Sequence, residues 1–245
     1  MKKLIINKIS KKYNDKEILS DISFSVNNSE TVSILGPSGC GKTTLFNIIA
    51  GLTAPSSGNI LIDEKNITNL SGFISYMPQN DLLLPYKTIK DNVLLPLIIQ
   101  GQNDKISNNE LSFLFNQFLI SGSENKYPHE LSGGMRQRAA FLRTYMYSKN
   151  IMLLDEPFSA LDQITKNNMY AWYLSTVEKL NKTTIFITHS IDEALLLSDT
   201  IHIISSKSHN IIKSIKVLEN KNMNFLFSEN FINYKKNIID ILNIT

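Results

Sequence analysis

Gly36-Pro37-Ser38-Gly39-Cys40-Gly41-Lys42-Thr43 decides the reading of this 245-residue chain. Glycines at 36 and 41 followed at once by Lys42 and Thr43 fit the pattern of a loop that cradles phosphate. Glycine lets the backbone bend so that successive N–H groups point at an anion, and the helix that follows presents its positive end. In such a loop Lys42 reaches the β and γ phosphates, and Thr43 offers its hydroxyl to Mg²⁺. The flanks suit this role: Thr31-Val32-Ser33-Ile34-Leu35 reads as a buried strand, and Thr44-Leu45-Phe46-Asn47-Ile48-Ile49-Ala50 as the helix. A glycine-rich turn that merely precedes a lysine would not call for either flank. The expected ligand is a nucleoside triphosphate held along Gly36 to Thr44.

Outward from the loop, strand and helix patterns alternate. Lys3 to Ile9 and Ile18 to Val26 read as strands separated by the polar stretch Ser10 to Lys16. A turn at Ala54 to Gly58 leads to a short strand, Asn59 to Ile62, and Phe73 to Met77 reads as another that ends at Pro78-Gln79. From Thr88 to about Tyr147 the period becomes helical, with Leu111, Leu114, Phe115, Phe118 and Leu119 on one face. Ile151 to Leu154 and Thr183 to Ile187 are continuous apolar runs of the kind buried in a parallel sheet, with a helix over Asn167 to Leu180 between them. The tail predicts a strand at Ile211 to Val217 and an amphipathic helix from Ser228 to Leu242. Such alternation implies an α/β fold with its ligand at the carboxyl ends of the strands.

Two further runs carry chemistry. Met152-Leu153-Leu154-Asp155-Glu156 ends a buried strand in two carboxylates, which is costly unless they serve a cation or a reaction. Beside a phosphate loop, Asp155 is placed to hold Mg²⁺ through water and Glu156 to polarise an attacking water; the alternative is an acidic helix cap after a strand. Leu131-Ser132-Gly133-Gly134-Met135-Arg136-Gln137-Arg138 is a second glycine corner entering a helix. One nucleotide does not need a second phosphate site in the same chain, whereas two copies of the chain would use it.

Composition excludes several classes. With 25 basic against 22 acidic residues and a net charge of +3, no concentrated Lys/Arg cluster suggests a nucleic-acid groove. The single cysteine, Cys40, has no disulfide partner within the chain, which fits a reducing compartment. No apolar stretch approaches the roughly eighteen residues needed to span a bilayer. The apolar start Leu4-Ile5-Ile6 is cut short by Asn7 and Lys8, too early for a signal peptide. Service to a membrane would therefore run through a partner.

With these motifs in this order the chain resembles, end to end, the ATP-binding subunit of an ABC transporter. The resemblance implies an α/β fold: a P-loop NTPase (RecA-like) core with a mixed sheet (1–87 and 148–204), an antiparallel β N-terminal subdomain, an inserted α-helical subdomain (88–147) and a short C-terminal extension (205–245). It implies ATP and Mg²⁺, a head-to-tail homodimer, a membrane-spanning permease, an indirect external solute-binding protein, no nucleic acid, and residence at the cytoplasmic face of the membrane. By the same resemblance Tyr13 stacks on adenine, and Gln79 senses Mg²⁺ and contacts the membrane partner. Ser132, Gly133 and Gly134 contact the γ-phosphate on the opposite subunit, and Ser159-Ala160-Leu161-Asp162 crosses the dimer. His189 holds the γ-phosphate. Catalysis then falls to Glu156, His189, Lys42 and Gln79, and the metal to Thr43, Gln79 and Asp155. Cys40 supplies only a backbone N–H.

Position 135 is Met where the commonest signature has Gln, and Met cannot reproduce the hydrogen bonds of an amide. This Met-Arg-Gln-Arg form resembles the importers of nitrate, sulfonate, taurine and pyrimidine precursors. Leu82-Leu83-Leu84-Pro85-Tyr86, Asp91-Asn92-Val93 and the short tail resemble them too. The alternatives are an ATPase of an exporter, which shares the chemistry, or an ABC protein outside transport. The latter usually carries two such domains or a long coiled-coil insertion, and neither is seen in the sequence.

Overall fold

The chain opens as a long hairpin, β1 (Lys2–Tyr13) and β2 (Lys16–Asn27), closed by Asn14 and Asp15 in the left-handed region. Both strands run well into the polar stretch that the sequence marks as a connection: Lys11 pairs with Leu19 and Tyr13 with Lys16. An antiparallel ladder needs only one buried face, so Leu4, Ile6 and Ile9 point inward while lysines line the other side. With β4 (Ser57–Ile62) and β5 (Lys65–Asn66) the hairpin makes a four-stranded sheet in the order β2-β1-β4-β5. The structure, a computed structural model, describes residues 2–102, 106–147, 150–159 and 161–244, without the side chains of 177–179 and 244.

A second sheet carries the phosphate loop. β3 (Thr31–Leu35), β6 (Ser75–Met77), β7 (Ile151–Asp155), β8 (Thr183–Thr188), β9 (Thr200–Ile204) and β10 (Ile211–Lys216) assemble in the order β10-β9-β3-β8-β7-β6. All neighbours are parallel except β10, which runs antiparallel to β9. The register sets two opposite faces. Val32, Ile34, Leu153, Ile185 and Ile187 pack with Leu4, Ile6, Phe46 and Ile48, so the hairpin sheet and the helix α1 (Lys42–Ile49) cover one face. Leu35, Met77, Met152, Leu154, Phe186 and Ile203 join the helices of the other face in a separate core. The sequence reading passed over β9, whose Thr-Ile-His-Ile-Ile run is broken by His202. That imidazole is buried against the Phe24 ring at 4.8 Å, and desolvation pushes its pKa down to about 4, so it sits in the sheet as a neutral group.

Between β6 and β7 the described residues include the α-helices α2 (Ile89–Ile99), α3 (Asn108–Gln117) and α4 (Gly133–Met146). The apolar face expected over 111–119 is shorter than its period suggests. Leu111, Phe115 and Phe118 are buried and Leu114 is partly so, but Leu119 lies beyond the helix end and is exposed. It adopts φ 53°, while the N–H of Ile120 donates to Phe115 and its own N–H to Asn116, which closes α3 in a Schellman turn. After β7 come α5 (Gln163–Leu180), α6 (Ile191–Leu197) and, at the end, α7 (Glu229–Ile244). Among the described residues no helix is long and apolar enough to cross a membrane.

Candidate nucleotide-binding and hydrolysis site

β3 delivers the chain to Gly36 at the carboxyl edge of the sheet, and α1 carries it away from Lys42. Two glycines are dictated by space. A Cβ on Gly36 would lie 2.7 Å from the Ile204 carbonyl oxygen, and one on Gly41 would lie 2.7 Å from that of Ile18 at a φ of +97°. Gly41 is also the N-cap of α1 and has no side chain to satisfy the first-turn amides, which are left facing the loop. Lys42 is buried and donates to the carbonyls of Gly36 at 2.8 Å and Pro37 at 2.7 Å. Burial pushes the Cys40 thiol pKa up, which suits a packing residue 3.8 Å from that ammonium and not a nucleophile.

The carboxylates stand across the cleft. Asp155 ends β7 buried, with the Thr43 hydroxyl close by and the Tyr76 hydroxyl donating to its Oδ2 at 3.3 Å. Burial, the largest influence, pushes its pKa up. Glu156 follows in a left-handed conformation, φ 46°, with its N–H donating to Ile187 O at 3.1 Å. That turn brings its carboxylate out of the sheet and between two groups. Gln79 Nε2 donates to Oε2 at 3.2 Å, and His189 Nδ1 lies 3.3 Å from Oε1. Ile18, Ser38, Gly39, Lys42, Thr43, Gln79, Glu156 and His189 thus enclose one cavity of about 460 Å³.

The donor set fits a triphosphate with a hard cation. Uncapped amides and a buried ammonium suit phosphate oxygens. Among the described residues no group of three or more His, Cys, Asp or Glu side chains forms a self-sufficient metal site. One hydroxyl and one carboxylate instead leave most of a hexacoordinate shell to phosphate and water, as Mg²⁺ prefers.

Other expected site residues lie elsewhere. Tyr13 is at the hairpin tip, 48% exposed, with Lys11 Nζ 4.7 Å from its ring centroid, and does not line the cavity. Ser132, Gly133 and Gly134 open α4 away from the cavity; Ser132 accepts the Met135 N–H at 3.3 Å. Asp162 caps α5, accepting the N–H groups of Ile164 and Thr165 at 3.1 Å each. Ala160 of the adjoining run is outside the described residues.

Sequence reasoning missed Ile18, which lies in a strand and touches the loop through its backbone. It also missed Tyr76 and the fastening of α4. Arg136 pairs with Asp81 at 3.4 Å, Arg143 donates to Leu82 O at 2.7 Å, and Gln137 donates to Pro157 O. The buried Asn92 accepts the Leu84 N–H at 2.7 Å and donates to the Thr88 carbonyl at 2.9 Å. The second glycine corner is thereby fastened to the segments that follow Gln79 and Glu156. Arg136, Gln137 and Asn92 stand in runs that the sequence marks, but their partners do not show there, because those lie on other segments of the chain.

A loop-and-helix phosphate cradle facing an Asp-Glu strand end defines a P-loop NTPase, and the paired sheets with helices inserted between β6 and β7 are those of an ATP-binding cassette. Solved cassettes share this fold. One in its ADP conformation superposes with a TM-score of 0.78 over 96% of this chain and 99% of its own, at 22% identity. The dimeric post-hydrolysis state of the cassette MJ0796, bound to ADP and Pi, gives 0.73 over 89% and 100%, at 27% identity. The ABC transporter family model matches residues 19–159, and the chain belongs to that family. It is 47% identical over 190 residues to the formylaminopyrimidine import ATP-binding protein ThiZ of Halalkalibacterium halodurans, covering 78% of this chain and 74% of the relative. It is 38% identical to the aliphatic sulfonates import ATP-binding protein SsuB of Bacillus cereus, over 88% and 85%. To the nitrate import ATP-binding protein NrtC of Synechococcus elongatus it is 37% identical, over 75% of this chain and 28% of that one. The chain is an ATP-binding, ATP-hydrolysing component of an ABC transporter.

Proposed function

We propose that this chain powers the import of a small solute of the sulfonate, nitrate or pyrimidine-precursor kind, working as a head-to-tail dimer on the cytoplasmic face of a membrane permease that a solute-binding protein feeds. The observation that carries the chemical part is the bracketing of Glu156 by Gln79 and His189 over the Lys42 loop. Glu156 accepts the proton of the attacking water, and Gln79 and His189 hold its two oxygens in line with the γ-phosphate. Lys42 and the α1 amides stabilise the charge that gathers on the phosphate oxygens. Thr43 and Asp155 would hold Mg²⁺, which would supply neutralisation of phosphate charge. His189 is half exposed, so its imidazole can also reach the γ-phosphate. Tyr13 stacks on adenine from the hairpin tip, and Ser132, Gly133, Gly134 and Asp162 face the nucleotide of the other copy.

Residues 88–147 act as the helical unit that meets the permease. A groove of about 380 Å³ between this unit and the nucleotide core is lined by Leu52, Ile74, Tyr76, Pro96, Arg143 and Thr144, with Leu52 62% exposed at its rim. ATP favours the closed dimer and drives the permease only by its differential affinity for the closed state. Glu156→Gln is expected to keep ATP affinity and to lower turnover about a hundredfold or more, the scale of a general base. Undiminished hydrolysis by that variant would remove Glu156 from the role.

A further inference from the structure

Tyr76 sits where the nucleotide site and the groove come closest. It lies on β6 in register with Leu153 of β7, so its side chain shares the sheet face that carries Leu153 and Asp155. Its hydroxyl donates to Asp155 Oδ2 at 3.3 Å. Its ring meets Phe46 of α1 edge-on, 6.4 Å between centroids at 78°, on the helix that begins with Lys42. The same ring walls the groove beside Leu52, Pro96 and Arg143. Burial and the charge of Asp155 push the phenol's pKa up, so it remains a neutral donor.

A carboxylate that serves a cation must present a fixed oxygen, and the groups bonded to its other lone pairs set that orientation. We propose that Tyr76 is a positioning residue for Asp155: its hydroxyl fixes the carboxylate, and its ring makes that orientation answer to whatever fills the groove. This rests on the assignment of Asp155 to the cation. One side chain then carries information between a membrane partner and the metal end of the nucleotide, on a path separate from Gln79.

The test uses the full chain with Mn²⁺ and a non-hydrolysable ATP analogue, free Mn²⁺ being read by electron paramagnetic resonance. Tyr76→Phe keeps the ring and removes the hydroxyl; it is expected to weaken Mn²⁺ binding about fivefold, the scale of one lost hydrogen bond, while the metal-free affinity for the analogue is unchanged. Leu52→Trp, which crowds the groove, is expected to shift Mn²⁺ affinity about twofold or more, and the shift should vanish when Tyr76→Phe is added. Native Mn²⁺ affinity in Tyr76→Phe overturns the proposal. So does an equal loss of metal-free nucleotide affinity, which would mark a packing role, and so does a Leu52→Trp shift that survives in the double variant. If Asp155→Asn binds Mn²⁺ undiminished, the assignment of Asp155 fails and the role of Tyr76 falls with it.

Discussion

Two helices of this chain, α1 and α4, begin at glycine corners, and their surroundings differ in almost every respect. At α1 the corner faces a cleft on which a buried Lys42, the Glu156 carboxylate, Gln79 and His189 converge, with Asp155 buried at the end of β7. At α4 Ser132 and Gly133 are exposed, and Arg136 is engaged with Asp81 and the Leu131 carbonyl. Ser132 accepts the Met135 N–H, yet its own O–H remains able to donate outward. The first corner has the groups to bind a triphosphate and to polarise a water beside it. The second has only a helix end and a hydroxyl, which can stabilise an anion but not transform one. A chain that builds both, and keeps them apart, suits the proposed head-to-tail dimer, in which each corner is half of one site.

The largest separation between the corners is expected from Lys42→Ala. It removes the buried ammonium, and ATP affinity in a filter-binding or calorimetric titration should fall about a hundredfold, the scale of a lost pair of charge-assisted hydrogen bonds. Gly133→Asp should cut differently. A Cβ at Gly133 meets nothing closer than Leu161 Cδ2 at 3.7 Å, and an acid in the first helical turn suits the dipole, so melting temperature should hold. ATP binding should hold as well, while steady-state turnover falls at least about tenfold, because the new carboxylate repels the phosphate offered by the other copy. If Gly133→Asp instead weakened ATP binding to the isolated chain, the corner would belong to its own subunit's site. The smallest effect is expected of Tyr13→Ala, about five- to tenfold weaker nucleotide affinity from a lost stacking surface, with turnover at saturation little changed. Equal loss for ATP and for inorganic triphosphate would show that Tyr13 does not read the base.

The same contrast explains what could be read in the sequence. β7 and β8 were legible because strands buried on both faces are written as unbroken apolar runs. The ends of β1 and β2 were not, since an antiparallel strand with one wet face looks like a polar connection around Ser10 to Lys16. β9 was hidden by a neutral buried histidine, and the end of α3 by a left-handed Leu119 that continues the helical period in sequence but not in space. In the site, Lys42 and Thr43, and Asp155 and Glu156, were legible because each pair is tied to a single turn of backbone, whereas His189 entered through the family resemblance. Ile18, Tyr76 and Arg143, and the partners of Asn92 and Arg136, were not, because these contacts join separate segments, as when Arg143 holds the Leu82 carbonyl. That Ser132 and Gly133 stand apart from the loop was anticipated in sequence, since one nucleotide needs no second phosphate corner, and the structure keeps them out of the cavity that Lys42 lines.

Mixing two disabled chains tests the halves most directly. Lys42→Ala lacks a working loop and Gly133→Asp lacks a working second corner, so each alone should be nearly inactive. In a head-to-tail pair formed from one of each, the intact loop of the second faces the intact corner of the first, and one complete site is restored. ATP hydrolysis by the equimolar mixture should therefore clearly exceed that of either variant alone at the same total concentration. A mixture no more active than the average of the two would contradict a site shared between copies.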